Sequence, residues 1–256
     1  MMDQETIRAQ LMKHLRELHL PTIREIFEET AREAQQESLG YEAYLLEVVT
    51  REIEERRRKR IERYLKESSL PLEKELETFD LKRLPMKVIN QVNLLKEGFF
   101  LDKKENVLAF GLPGTGKTHL LCGLSQALVR RGRRILCTRC SLFVQQLLVA
   151  KKELKLRQVL KKLQKFEAVL IDDIGYVQQN REEMEVLFTF LAERYEQGSV
   201  MITSNLPFSK WERIFKDPMT TAAAIDRVVH HSIIIELNLP SYRMEAAQKK
   251  AKQPSE

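Results

Sequence analysis

Turn-forming residues are scarce at the start of this chain: residues 1–70 hold one glycine, Gly40, and one proline, Pro21. So few breaks favour long helices over a strand-and-turn module. Cysteine is scarce throughout. Cys122, Cys137 and Cys140 are odd in number, which excludes a disulfide framework and suits reduced thiols. Cys137 and Cys140 form one C-x-x-C, without a second pair or suitably spaced histidines, inside an apparent strand. That argues against a metal or redox centre. Long apolar runs are lacking too, both of spanning length and as an early run before a cleavage site, so a cytoplasmic protein with no membrane association is expected. What is present is 43% hydrophobic residues, enough for a core, and 31% charged residues for a heavily solvated surface. The 256 residues suit one domain with an appendage, or two small domains. The net charge of +6 hints at an anionic partner.

The strongest signal is Gly111-Leu112-Pro113-Gly114-Thr115-Gly116-Lys117-Thr118, which fits G-x-x-x-x-G-K-[ST] at every fixed position. An apolar run, 106–110, precedes it and reads as a buried parallel strand; helical spacing of apolar residues follows at 119–128. Strand, glycine turn and helix aim backbone N–H groups and a positive helix end at a polyphosphate. Lys117 suits the β- and γ-phosphates of ATP, and the Thr118 hydroxyl suits Mg²⁺.

Upstream, 22–36 and 41–66 read as helices, the second with an apolar stripe of Tyr41, Leu45, Val48, Val49 and Ile53. The stripe stops at a run charged on every face, Glu54-Glu55-Arg56-Arg57-Arg58-Lys59-Arg60. Two readings stay open. The run is either a solvated face held by pairs such as Glu52–Arg56, Glu54–Arg58 and Glu55–Lys59, or a contact to nucleic-acid phosphates by Arg56, Arg57, Arg58, Lys59, Arg60 and Arg63. Residues 1–70 carry 13 basic against 15 acidic side chains, which tempers the second. The expected organisation is a helical domain at 1–70 that binds DNA or a partner, a connector at 71–104 with a short helix near 87–96, a nucleotide domain at 105–240 and a tail at 241–256. That tail is expected to be polar and disordered from Lys249.

Beyond the loop helix, strands at 134–140, 166–173, 199–205 and 232–237 alternate with helical segments at 141–164 and 181–197, as in a parallel sheet covered on both faces. The strand ending in Leu170-Ile171-Asp172-Asp173 brings two carboxylates to the edge where such sheets bind ligands. Asp172 suits the Mg²⁺ shell, and Asp173 suits polarising the attacking water. Met201-Ile202-Thr203-Ser204-Asn205 ends at the same edge, where Asn205 can bond that water or the γ-phosphate; a plain strand-end turn would also use Ser-Asn.

Taken together, these residues resemble the AAA+ ATPases, and more narrowly the IstB-like transposition helpers, relatives of the DnaC helicase loaders. The resemblance rests on residues 111–119 and 170–176, on Arg194-Tyr195-Glu196, and on Thr203 to Phe208 with Trp211. It also rests on Asp226-Arg227 with His230-His231-Ser232, on Ser241-Tyr242-Arg243 and on the Glu/Arg-rich helix at 52–63. Where the family commonly has Asp-Glu, this chain has Asp172-Asp173. The resemblance implies an α/β P-loop NTPase of AAA+ type without a C-terminal lid, with the Asn205 strand between the loop strand and the Asp172 strand. It implies a homo-oligomer with ATP between subunits and a neighbour's arginine in the site, matched here by Arg227 or Arg213; Asp226 or Glu212 would be the alternative, intrasubunit partners of Arg227. It gives meaning to residues 151–165, with seven basic side chains, among them Lys151, Lys152, Lys155, Lys161 and Lys162, against the single acid Glu153. Initiator-type relatives enlarge this segment to line a DNA pore. The implied activity is ATP hydrolysis by an assembly factor that binds duplex DNA and recruits a cognate transposase. A replicative helicase loader and a non-hydrolysing, ATP-gated adaptor are the alternatives; a small-molecule kinase lacks a lid or acceptor motif.

Overall fold

A computed structural model describes residues 3–175, 181–215 and 217–245. Tyr176, the tail from residue 246 and the side chain of Arg213 lie outside the described residues. The chain divides into two compact units, Met1–Arg63 and Tyr64–Glu256.

The first unit holds α1 (Gln4–Glu17), α2 (Pro21–Gln36) and most of α3 (Tyr41–Ser68). Sequence periodicity does not reveal α1, because no glycine marks its end. His19 instead takes the left-handed conformation (φ 53°), and the Leu20 N–H reaches back to the Leu15 carbonyl at 2.9 Å. Ser38 (φ 56°) ends α2 the same way, with Leu39 bonding Ala34 at 2.8 Å. The core is Leu15, Ile23 and Val48, flanked by Leu20, Ile26, Phe27 and Tyr44.

The apolar stripe expected on α3 is not the packed face. Of its five residues only Val48 is buried; Tyr41 is 95% exposed, and Leu45, Val49 and Ile53 also face solvent. The packed face runs Tyr44, Val48, Glu52, one helical turn apart. Glu52 escapes a hydrophobicity reading because it is a buried carboxylate. It accepts N–H bonds from Thr22 (2.8 Å) and Ile23 (3.1 Å) at the start of α2, and a guanidinium bond from Arg56 (2.6 Å). Burial pushes the Glu52 pKa up, but Arg56 and the two amides outweigh it and hold the carboxyl below its ordinary value. Arg56 also caps the His19 carbonyl. Arg58 lies between Glu55 and Glu62, not against Glu54 as expected, and Lys59 pairs with Glu55. Among the described residues Arg57 and Arg60 are exposed without an acidic partner.

The second unit is a five-stranded parallel sheet, in the order β2-β3-β4-β1-β5. The strands are β1 (Asn106–Gly111), β2 (Ile135–Arg139), β3 (Ala168–Ile174), β4 (Ser199–Ser204) and β5 (Ser232–Leu237). Alternate strand residues feed two apolar layers. Val107, Ala109, Ile135, Leu170 and Met201 meet α4 (Met86–Glu97), α5 (Phe99–Asp102) and α6 (Lys117–Arg130). On the other face Leu108, Val169, Ile171 and Ile202 meet α7 (Cys140–Lys152), α8 (Leu156–Leu163), α9 (Arg181–Arg194), α10 (Glu212–Phe215) and α11 (Pro218–Val229). The C-x-x-C is split by this geometry: Cys137 lies in the first layer and Cys140 in the second. The stretch expected as a connector packs into the first layer through Leu76, Phe79, Leu84, Val88, Val92 and Leu95. Tyr64, Leu65 and Leu70 join it, so the compact unit begins before residue 70. The single helix expected at 141–164 is two, divided at Leu154.

Glu52→Gln keeps the shape but removes the charge that Arg56 and the α2 amides hold. With Arg56 half-exposed, the expected loss is about 2 kcal/mol in the helical unit. Because the folded-state pKa is depressed, this contribution is present above the ordinary carboxyl pKa and disappears as pH falls through the folded value. Amide exchange at Thr22 and Ile23 in Glu52→Gln and in the wild type tests this; equal protection at neutral pH would refute it.

Candidate nucleotide site at the sheet edge

The phosphate loop leaves β1 at Gly111 and enters α6 at Lys117. Gly114 (φ 81°) and Gly116 (φ 96°) take backbone conformations that side-chain-bearing residues rarely adopt. Lys117 is only 6% exposed, and its Nζ donates to the Leu112 carbonyl at 2.9 Å. The Thr115 hydroxyl donates to that same carbonyl at 2.9 Å, folding the loop over itself while Pro113 lines the cavity in front. Burial pulls the Lys117 pKa down, opposed by Asp173 and Asp172.

At the end of β3, Asp172 is buried and its Oδ1 accepts two hydroxyl bonds, from Thr118 (2.7 Å) and Thr203 (2.6 Å). Thr203 in turn accepts the Asp173 backbone N–H at 2.8 Å. Here the β3–β4 pairing slips between Ile171 and Ile174, and Asp173 takes a left-handed φ of 60°. The slip turns the two consecutive carboxylates to different tasks: Asp172 faces inward and Asp173 faces the cavity. Burial and the neighbouring Asp172 push the Asp173 pKa up, against Lys117, Arg243 and Arg139. One residue beyond β4, the Asn205 Oδ1 is buried and has no protein partner among the described residues. Trp211, fully buried and donating to the Leu206 carbonyl at 3.2 Å, fixes the loop that carries it.

Of these groups Gly114, Gly116, Lys117, Thr118 and Asp173 line a cavity of about 490 Å³, whereas Asp172, Thr203 and Asn205 lie outside its lining; the cavity has two further walls. One is the strap at 71–79, which supplies Lys74, Thr78 and Phe79. It lies along a single stripe of α6. His119 Nε2 bonds the Glu75 carbonyl (2.8 Å), Gln126 bonds the Pro71 carbonyl (2.8 Å), and Arg130 pairs with Glu75. Gly123, between them, leaves room for the strap, since a Cβ there would meet the Leu76 nitrogen at 2.6 Å. The other wall follows β5: the Tyr242 N–H bonds the Gly114 carbonyl at 3.0 Å, and Ser241 sits over Gly114 where a side chain would clash. Arg83 stacks on the Tyr242 ring at 3.9 Å and pairs with Glu245 at 2.7 Å, and Arg243 enters the cavity.

The cavity's donor set fits a polyphosphate with a hard cation: a loop of backbone amides, a buried amine and a threonine hydroxyl on a carboxylate. Residues 13–251 match the protein family described as IstB-like ATP binding protein. The chain belongs to this family.

Relatives of this IstB-like protein include a Sinorhizobium fredii insertion-sequence ATP-binding protein, 42% identical over 93% of this chain and 80% of its own. The Pseudomonas aeruginosa insertion sequence IS21 ATP-binding protein is 34% identical, over 87% and 84%. The fold matches that of DnaI (TM-score 0.55, 19% identity, 67% of this chain and 96% of that one) and of AMPPCP-bound DnaA from Aquifex aeolicus (0.55, 19%, 72% and 56%). The parallel sheet and the phosphate loop make the second unit an α/β nucleotide-binding fold of the P-loop class, the fold shared with these neighbours. No helix among the described residues is long and apolar enough to cross a membrane.

Other singled-out residues lie elsewhere. Arg194 is buried, with its pKa lowered to about 10 by that burial, and is consumed by the carbonyls of Leu163, Phe166 and Ser199. Arg227 is half-buried on α11. Its guanidinium donates to the Ala223 carbonyl (3.0 Å) and lies 4.9 Å over Phe188, engaging neither Asp226 nor Glu212. It does not line the phosphate cavity of its own chain. In the lysine-rich segment, Lys151 pairs with Glu185 and Lys155 with Glu153, both at 2.9 Å. Lys152, Lys161 and Lys162 are exposed and unpaired among the described residues.

Two substitutions probe this construction. Thr203→Val preserves volume but strips a donor from Asp172 and leaves the Asp173 N–H unpaired, a penalty of about 1–3 kcal/mol. The expected result is a lower melting temperature together with weaker Mg²⁺-dependent nucleotide binding; unchanged binding would show that the hydroxyl bridge is incidental. Gly123→Ala should stabilise an ordinary helix by about 1 kcal/mol. Here the Cβ meets the strap backbone, so stability and nucleotide affinity should both fall, as measured by calorimetry; a rise in stability would mean the strap does not bear on α6.

Proposed function

We propose that this IstB-like protein is a cytoplasmic, Mg²⁺-dependent ATPase that assembles on duplex DNA and assists a transposase. The observation that carries the hydrolytic part is the hydrogen-bonded chain Thr118–Asp172–Thr203–Asp173 facing the phosphate loop. Thr118 and Asp172 would hold Mg²⁺, which when bound neutralises charge on the phosphate oxygens. Lys117 and the loop amides of residues 111–118 bind and orient the β- and γ-phosphates. Asp173, with its raised basicity and cavity-facing carboxylate, takes the proton of the attacking water, and the unpaired Asn205 oxygen orients that water. Arg227, turned away from its own cavity, is available to a neighbouring subunit's site in a homo-oligomer. The insertion-sequence context of the relatives supports a transposase partner. The unpaired lysines at 152, 161 and 162, with Arg57 and Arg60, support contact with DNA phosphates.

Asp173→Asn keeps size and hydrogen bonding but abolishes the base. Binding of Mg·ATP should persist while turnover falls by about a hundredfold or more, trapping the assembled state on DNA. Undiminished turnover would remove Asp173 from the base role; no turnover in the wild type would favour an ATP-gated adaptor. Charge reversal of Lys152, Lys161 and Lys162 should weaken binding to all duplex sequences alike and flatten the dependence of affinity on salt, by about 0.9 log units per log unit of salt for each lost contact. An unchanged slope would exclude this surface.

A further inference from the structure

The turn between α7 and α8 holds an anomaly of sequence and exposure. The Lys155 N–H bonds the Ala150 carbonyl (2.7 Å) and the Leu154 N–H bonds the Lys151 carbonyl (3.1 Å), the double bond pattern that closes a helix on a left-handed residue. Glycine or asparagine suits that position, and a branched apolar side chain is strained there. The chain places Leu154 there, at φ 58°. Its side chain packs on nothing: it is 92% exposed. Of the seven non-glycine residues with positive φ among the described residues, the other six are polar or charged: His19, Ser38, Ser69, Lys104, Asp173 and Glu196. Leu154 alone combines backbone strain with full exposure of an apolar group, so the folded chain gains nothing from it. Strain of this kind calls for a functional account.

The surroundings identify the occupant by charge. Lys152 and Arg157 flank the turn, exposed and without acidic partners among the described residues, and Lys161 and Lys162 continue that face along α8. The nearest acid, Glu153, is taken by Lys155. An apolar tip inside a cationic collar is the arrangement by which proteins hold two phosphate backbones and push a side chain between stacked base pairs. A protein surface without a dense ring of carboxylates would leave the collar's charges unpaired, and a lipid surface calls for a broader apolar face than one leucine.

We infer that Leu154 is a wedge that enters duplex DNA from the minor groove and opens a base step, so that the α7–α8 turn deforms the DNA on which the protein assembles. This rests on the duplex-DNA reading above and adds to it the residue that distorts the DNA and the kind of step it prefers. Pyrimidine–purine steps unstack most easily and should be the favoured points of entry.

The test uses the full chain with ATP and Mg²⁺ and a duplex carrying 2-aminopurine at TA and CA steps, whose fluorescence rises on unstacking. The wild type should bind and raise the fluorescence. Leu154→Asn, which suits the left-handed backbone, should melt no lower than wild type and keep the salt slope of binding, while losing the fluorescence rise; Leu154→Met should retain it. Binding by wild type without a rise, or a rise that survives in Leu154→Asn, overturns the wedge and leaves DNA binding intact. A wild type that does not bind duplex DNA at any salt concentration overturns both.

Discussion

One carboxylate joins the ends of three neighbouring strands. Asp172 on β3 receives the hydroxyl of Thr118, at the end of the β1 loop, and that of Thr203 on β4. Thr203 on the adjacent β4 is one strand spacing away, so its short side chain suffices; β1 is two spacings away, and the loop after it carries Thr118 across that distance to Asp172. Hydrogen bonds to a charged acceptor contribute about 1.5–3 kcal/mol each. That is enough to hold Asp173 at its left-handed φ of 60°, since Thr203 also accepts the Asp173 amide. Removing the Asp172 charge would loosen the phosphate loop, the slip in β3 and the aim of Asp173 together. A ligand site at the carboxyl ends of parallel strands follows from the fold, but these particular bonds make it one unit.

The remaining walls of the cavity are built differently. The strap and the segment after β5 have little regular structure, and each is held by contacts to elements that also bear the phosphate loop. His119, Gly123, Gln126 and Arg130 lie on one side of α6, so the helix that presents its N-terminus to phosphates presents its flank to the strap. Tyr242 and Ser241 contact Gly114 directly. A shift of the loop is passed to the segment after β5 through the Tyr242–Gly114 bond, and a shift of α6 to the strap through the close approach at Gly123.

The sequence announced what depends on period and pattern. All five strands lie within two residues of their expected ends, because buried parallel strands read as apolar runs. The family resemblance implied the Asn205 strand between the loop strand and the Asp172 strand, and β4 lies between β1 and β3. The ends of α1 and α7 were not legible, since they close on His19 and Leu154, neither of which is a glycine, whereas α2 ends at Gln36 as expected. The packed face of α3 was misread because hydrophobicity ranks Leu45 above Glu52, whereas two amides and a guanidinium make Glu52 the buried one. Gly123 and the strap had no motif to announce them, and Thr203 was legible only as part of the strand ending at Asn205, not as the bridge to Asp172. Their roles arise from residues 31 and 44 positions apart meeting in space.

Counting charges treats the two basic runs alike, and geometry separates them. On α3 the acids fall three or four residues from the bases, so Arg56, Arg58 and Lys59 meet Glu52, Glu55 and Glu62 on the same helix. Apart from the buried Glu52, these are exposed pairs that contribute little to stability, but each cancels a charge within a few ångströms. Beyond a Debye length of about 8 Å at physiological salt, a cancelled pair exerts almost no field. The run at 151–165 has one acid for seven bases, so even after Glu153 and Glu185 are engaged most of its charge remains open. A short amphipathic helix with its apolar side in the core and bare cations outside costs the fold some self-repulsion. On the proposed reading, DNA phosphates would relieve that cost, and the cations left open for them are those about the α7–α8 turn, with Arg57 and Arg60 on α3.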